Sequence, residues 1–256
     1  MTAPTATHSG ASHPVDETEH RLRVDLAALY RIVALFGWDD LLATHISVRL
    51  PGPQHQFLIN PLGLLFDEIT ASSLVKVDLA GNVIEAQPVA INPAGFTIHS
   101  AVHAARPDAA CVIHLHTVAG IAVSSQAHGL LPLNQTAMLL NGRLAYHDYE
   151  GIALDLAERE RLARDLGPMN AMILRNHGTL AVGTSVADAF QTMYFLERAC
   201  AIQLAALSGQ AALSVPPPAV QDLVTRQVAS FGDIADRLLW PALLRRLDRL
   251  DTSYRN

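Results

Sequence analysis

Apolar residues recur at helical spacing first. Between residues 16 and 38, Leu22, Leu26, Leu29, Ile32, Val33 and Phe36 fall on one stripe, and Gly37 ends it. Alternation follows: Thr44-His45-Ile46-Ser47-Val48-Arg49 reads as a strand, Pro51-Gly52-Pro53 as a turn, and residues 56–59 as a second strand. Asn60-Pro61-Leu62-Gly63 is turn chemistry, and residues 75–79 and 83–85 around Ala80-Gly81-Asn82 read as a hairpin. Asn92-Pro93-Ala94-Gly95 opens a helix that carries His99 and His103 and stops at Arg106-Pro107-Asp108. A buried strand, Ala110-Cys111-Val112-Ile113-His114-Leu115-His116, comes next. A short small-residue helix over 117–125 precedes a loop-rich passage that runs from 129 to Tyr146-His147-Asp148-Tyr149. Residues 153–166 read as a charged helix with Glu158, Arg159, Glu160 and Arg161 on a solvated face. Two apolar runs, 171–174 and 179–182, flank Arg175-Asn176-His177-Gly178, and a long helix over 186–207 places Met193, Tyr194 and Phe195 in the core. Pro216-Pro217-Pro218 breaks the chain before a last helix, 220–250, with a kink expected at Trp240-Pro241. Strands fed by hairpins, with helices before, between and after them, predict an α/β fold. The expected form is a three-layer α/β/α sandwich on a central, mainly antiparallel sheet. A loose arm over 1–19, a domain over 20–210 and a helical extension over 211–256 are the expected divisions.

Composition narrows the class. The chain has 256 residues, half of them hydrophobic, enough for a substantial core. A net charge of -6 offers no basic face for nucleic acid or an anionic membrane. No apolar run is long enough to span a bilayer, and the first residues lack the apolar segment of a signal peptide. Cys111 and Cys200 sit in apolar surroundings and read as reduced core thiols of a cytoplasmic protein. Of the 12 histidines, His8, His13 and His20 lie in or beside the arm and are set aside.

The chemistry gathers at His114 and His116. Successive strand side chains alternate faces, so these two imidazoles point the same way and could hold one divalent ion at roughly 2.0–2.1 Å each. The best third ligand is His177, in the turn between two apolar runs, where Arg175 and Asn176 would fix the bend. An H-x-H pair alone is a weak signal, since such histidines are often structural.

Several motifs in register strengthen it: His45-Ile46-Ser47-Val48-Arg49, Leu58-Ile59-Asn60-Pro61-Leu62-Gly63, residues 74–81, His99, Ala105-Arg106-Pro107-Asp108, the H-x-H pair and residues 174–183. With these the chain resembles the class II aldolase/adducin family over about residues 20 to 210. The resemblance implies a homotetramer with active sites between subunits, and zinc on His114, His116 and His177, with manganese or iron as alternatives. In the sugar-phosphate enzymes of the family, a Ser-Ser-Glu or Ser-Ser-Asp stretch opens the helix, and its acid works beside the metal. Here that segment reads Pro93-Ala94-Gly95, and the phosphate loop, Gly-Asn in the family, reads Thr44-His45. A sugar phosphate is therefore disfavoured, as is proton removal by a carboxylate. A glutamate at 95 is expected to be able to restore a fourth ligand. The wording of 92–100, 129–132 and 146–149 is similar to adducin heads and their bacterial relatives, without their basic tail. Residues 92–100 also resemble non-haem iron oxygenases of aminocoumarin pathways.

The expected function is metal-dependent C–C cleavage, by retro-aldol reaction or decarboxylation, of a small non-phosphorylated oxo or hydroxy acid or carbonyl compound. The alternatives are an iron oxygenase on the same triad and a non-catalytic adducin-like module. His45, His103, Tyr146 and His147 are candidates for moving the proton. Arg49, Asn60, Gly63, Gly95 and His99 are candidates for the substrate pocket. Asp67 and Glu68 read as surface charge.

Overall fold

The computed structural model describes residues 17–84, 90–209 and 211–256. Helix α1 (Glu17–Leu35) leads into β1 (His45–Arg49), β2 (Phe57–Ile59) and β3 (Val75–Val77). Helix α2 (Pro93–Ala105) is followed by β4 (Cys111–Leu115), α3 (Val118–Ser124), α4 (Gln135–Met138) and β5 (Leu144–His147). Then come α5 (Glu158–Leu166), β6 (Ala171–Leu174), β7 (Gly178–Gly183), α6 (Val186–Leu207), α7 (Pro218–Val228) and α8 (Trp240–Asp248). The strands form one seven-stranded sheet in the order β3-β2-β1-β4-β7-β6-β5. Every neighbouring pair is antiparallel except β5 with β6.

Period-two alternation sorts the sheet's side chains into two layers. Ile46, Val48, Cys111, Ile113 and Leu115 pack with α1, α6 and α8 in one core. Val112, Met172, Leu174, Leu180 and Val182 point the other way, against Ile98, Ala101 and Val102 of α2 and Leu162 and Leu166 of α5. Helices on both faces of a mainly antiparallel sheet are the three-layer arrangement that the pattern predicts. Helix starts follow local chemistry. Asn92 caps α2 by accepting from the backbone N–H groups of Ala94 and Gly95, and Pro93 needs no donor there. Thr117 and Ser185 cap α3 and α6 in the same way.

The structure departs from the pattern in four places. Strand β5 and helix α4 lie inside the stretch that reads as loop; β5 has only Ala145 and His147 buried, and a polar core residue hides its alternation. Helix α5 begins at Glu158 rather than 153, and Glu158 is buried beside His147 instead of solvated. The single long final helix is two: α7 ends before Gly232, whose φ of +56° breaks the helix, and a π-helical turn at Ala235–Leu239 precedes α8. The hairpin is reduced to β3 and one bridge, Val77 to Val83, and residue 85 lies outside the described residues, as does most of the arm. Helix α8 belongs to the main core. Trp240 Nε1 donates to Asp25 over 2.9 Å, and Tyr254 is fully buried.

Candidate metal centre

Two elements bring the three predicted ligands together. His114 is the penultimate residue of β4, and His116 lies two residues on, just ahead of the Thr117 cap of α3. His177 sits in the bend between β6 and β7, where Asn176 takes φ +57°, a conformation asparagine tolerates better than most residues. Asn176 N–H donates to Ser124 O at 3.2 Å and His177 N–H to Leu174 O at 3.1 Å. Gly178 lets this bend press on the end of β4, because a Cβ there would lie 2.4 Å from Leu115 O. One ring nitrogen from each of His114, His116 and His177 falls within 4.8 Å of the other two.

Hydrogen bonds assign the ring protons. His114 Nδ1 donates to Thr179 O at 3.0 Å, and a carbonyl can only accept. His116 Nδ1 donates to the Asp40 carboxylate at 3.2 Å. In the neutral rings both Nε2 atoms are left as lone pairs, and they face each other across 2.9 Å. Protonation of His114 is a poor remedy. Burial, then His177, holds His114 far below the ordinary histidine range. Burial, then His116, brings His177 down to about 4. A divalent ion at roughly 2.0–2.1 Å from each nitrogen sets such a pair about 3 Å apart. The donor set fits one, with Asp40 and Thr179 as the outer partners that orient the rings.

A second set of histidines lies beside the first. His45 is directly across the β1–β4 ladder from His114, with ring centroids 5.2 Å apart. Its Nδ1 is 3.1 Å from His99 Nε2; His99 Nδ1 meets Ser47 Oγ; and Ser47 Oγ is 2.7 Å from His103 Nε2. Gly95 makes room for His45, since a Cβ at 95 would lie 2.5 Å from His45 Cδ2. The space left by the missing side chain is filled, so a glutamate at 95 has nowhere to stand, against the expectation from sequence.

The other candidates are occupied elsewhere. Arg49 donates to the carbonyls of His103 and Arg106, closing the C-terminal end of α2. Asn60 Oδ1 accepts from Tyr30 OH at 2.8 Å inside the core. Gly63 is an exposed turn glycine at φ +110°. Tyr146 OH accepts from Leu130 N–H at 3.1 Å, and Arg175 lies over its ring. His147 turns both nitrogens to carboxylates: Nδ1 is 2.7 Å from Asp165 and Nε2 is 3.5 Å from Glu158. Sequence reasoning missed Asp40, Ser47 and Tyr149, whose ring is 6.3 Å from His177. It also missed Glu197, buried on α6 and bonded to Thr117 and Thr179 behind the ligands. Ser47 left a trace in the motif at 45–49 and Tyr149 in the aromatic cluster at 146–149.

The sequence profile of the Class II Aldolase and Adducin N-terminal domain matches residues 24–204. This chain belongs to the class II aldolase and adducin family. A solved aldolase II superfamily protein from Pseudomonas syringae is 54% identical, with a TM-score of 0.90 over 94% of this chain and 98% of that one. An L-fuculose 1-phosphate aldolase from Glaciozyma antarctica is 28% identical, with a TM-score of 0.81 over 99% of this chain and 97% of the other. Alpha-adducin of Rattus norvegicus is 49% identical over 75% of this chain, which spans 26% of the adducin. The family thus holds enzymes and adducins, and among the described residues no helix is long and apolar enough to cross a membrane.

Proposed function

We propose that this class II aldolase family member is a metal-dependent lyase. It would break a carbon–carbon bond, by retro-aldol cleavage or decarboxylation, in a small non-phosphorylated oxo or hydroxy acid or carbonyl compound. The reading rests on one observation: two imidazole nitrogens 2.9 Å apart in a partly buried site, with His177 beside them. Zinc is the ion proposed, since three imidazoles with an open position suit it, and manganese or iron remain the alternatives to assay.

A divalent ion held by His114, His116 and His177 would supply a Lewis acid that draws electrons from a substrate carbonyl. The protein's part is positional. Thr179 O and Asp40 fix two rings in the tautomer that offers Nε2 outward, and Gly178 sets the third ring against them. Glu197 ties the start of α3 to β7 through Thr117 and Thr179, so the strand ends bearing the ligands cannot drift apart. Leu41, Val118 and Ile152 are strongly exposed, and Leu41 and Val118 follow Asp40 and His116 closely in the chain. Apolar surface next to the site supports a homo-oligomer, proposed as a tetramer, in a cytoplasmic protein.

Metal analysis of full-length protein purified without a polyhistidine tag tests the reading. Stoichiometric zinc or manganese, absent from His116→Ala, together with chelator-sensitive cleavage in a panel of oxo and hydroxy acids, is the expected result. Iron with oxygen uptake would replace the lyase by an oxygenase. No metal, with folding unchanged in His114→Ala/His116→Ala, would favour the second reading, a non-catalytic adducin-like module. The likeness to alpha-adducin supports that alternative.

A further inference from the structure

The buried chain behind His45 has a direction. Ala109 O can only accept, so His103 Nδ1, 3.2 Å away, carries a proton and His103 Nε2 is bare. That nitrogen takes the Ser47 hydroxyl proton across 2.7 Å. Ser47 Oγ is then free to accept from His99 Nδ1, which leaves His99 Nε2 bare. His99 Nε2 in turn accepts from His45 Nδ1 at 3.1 Å. Each proton is placed by the one before it, and the sequence ends with His45 Nε2 as a lone pair.

Neutral rings are what this order requires, and full burial of His45, His99 and His103 favours them. No described residue donates to His45 Nε2, and this nitrogen is not fully sealed within the protein. It lies beside the cluster without joining it, since the set of ring nitrogens within mutual reach of one ion stops at His114, His116 and His177. An acceptor at that position, too far to share the ion with the three ligands, suits an O–H group of something bound there. Gly95 is the residue that lets the ring occupy this place.

We propose that His45 Nε2 accepts a hydrogen bond from a substrate hydroxyl, held in one tautomer by His99, Ser47 and His103. The site thereby selects oxo acids or carbonyl compounds that carry a hydroxyl next to their chelating oxygens. The hydroxyl preference rests on the metal-dependent reading above; the tautomer does not.

The test has two arms on the full chain. Long-range nitrogen–proton NMR of the metal-free protein should place the His45 proton on Nδ1, and Ser47→Ala, which cuts the chain in its middle, should give a mixture of tautomers. Calorimetry of the zinc-loaded protein should show hydroxypyruvate binding about tenfold tighter than pyruvate, the worth of one hydrogen bond. His45→Phe, which removes both ring nitrogens, should erase that preference. A proton on Nε2 in the parent protein, no preference in the parent, or the same preference in His45→Phe would overturn the proposal. Failure to take up zinc would sink the metal reading and the hydroxyl preference with it, and the metal-free NMR result would still decide the tautomer. If His45→Phe does not fold, Ser47→Ala should lower the preference by itself; an unchanged preference there refutes the proposal.

Discussion

Adding one methyl group at Gly95 puts the packing of His45 to a quantitative test. In an isolated helix, glycine to alanine would stabilise by up to about 1 kcal/mol. Here the new Cβ would lie 2.5 Å from His45 Cδ2, 2.8 Å from Cγ and 2.9 Å from Nε2. Ordinary carbon contacts are about 3.5–4.0 Å, so the ring must retreat by about 1 Å. It has little freedom to do so. Its backbone is fixed by pairing with His114, and its Nδ1 is bonded to His99. Overpacking of this kind costs about 1–3 kcal/mol, and breaking the buried hydrogen bond adds a cost of similar size. Set against the helix gain, Gly95→Ala should destabilise by about 2 kcal/mol, a fall in Tm of about 4–8 °C for a chain of this length. Urea and thermal unfolding of the metal-free protein measure it. In a His45→Ala background the same substitution should be neutral or stabilising, so the cycle should return a coupling of about 2 kcal/mol. Gly95→Ala as stable as the parent, with His45 in place, would show that the ring does not occupy this space.

Three further outcomes follow from the geometry. Asp40→Asn should weaken zinc affinity about 10–100-fold without loss of fold, as read by competition with a chromogenic chelator; unchanged affinity would remove Asp40 from the orienting set. His99 and His103 are both brought down to about 3, mainly by burial, so the stability they contribute is present above the unfolded value near 6.5 and lost as pH falls through the folded one. At pH 5.5 each should cost about 1.4 kcal/mol, and urea midpoints that match between pH 7.5 and 5.5 would contradict their burial as neutral rings. Glu197 has its pKa raised, first by desolvation, so its contribution holds below 4.5 and is lost as pH rises through the folded value. Glu197→Gln should therefore gain stability relative to the parent between pH 4.5 and 8, and a gap that does not change with pH would argue against a buried acid.

Much of the architecture was already written in periodicity. The α1 stripe, the alternation of residues 44–49, the capped start at Asn92-Pro93 and the long run of α6 each report which face meets the core, and burial is what local spacing encodes. His114 and His116 were legible for the same reason, since a period of two puts them on one face whatever surrounds them. Long-range partners were not. Strand β5 is held by its pairing with β6, and Gly232 divides a final stretch whose composition reads as one helix. Nothing local ties Asp40 to His116, Glu197 to Thr117 or Ala109 O to His103, because those contacts depend on how distant segments are laid against one another. Gly95 shows the division most clearly. Its sequence position says only that a side chain is missing, and the fold alone decides that the missing volume belongs to an imidazole from the neighbouring strand. Covalent order sets what each segment can bury; the meeting of segments sets which polar atoms find each other and which one is left without a partner.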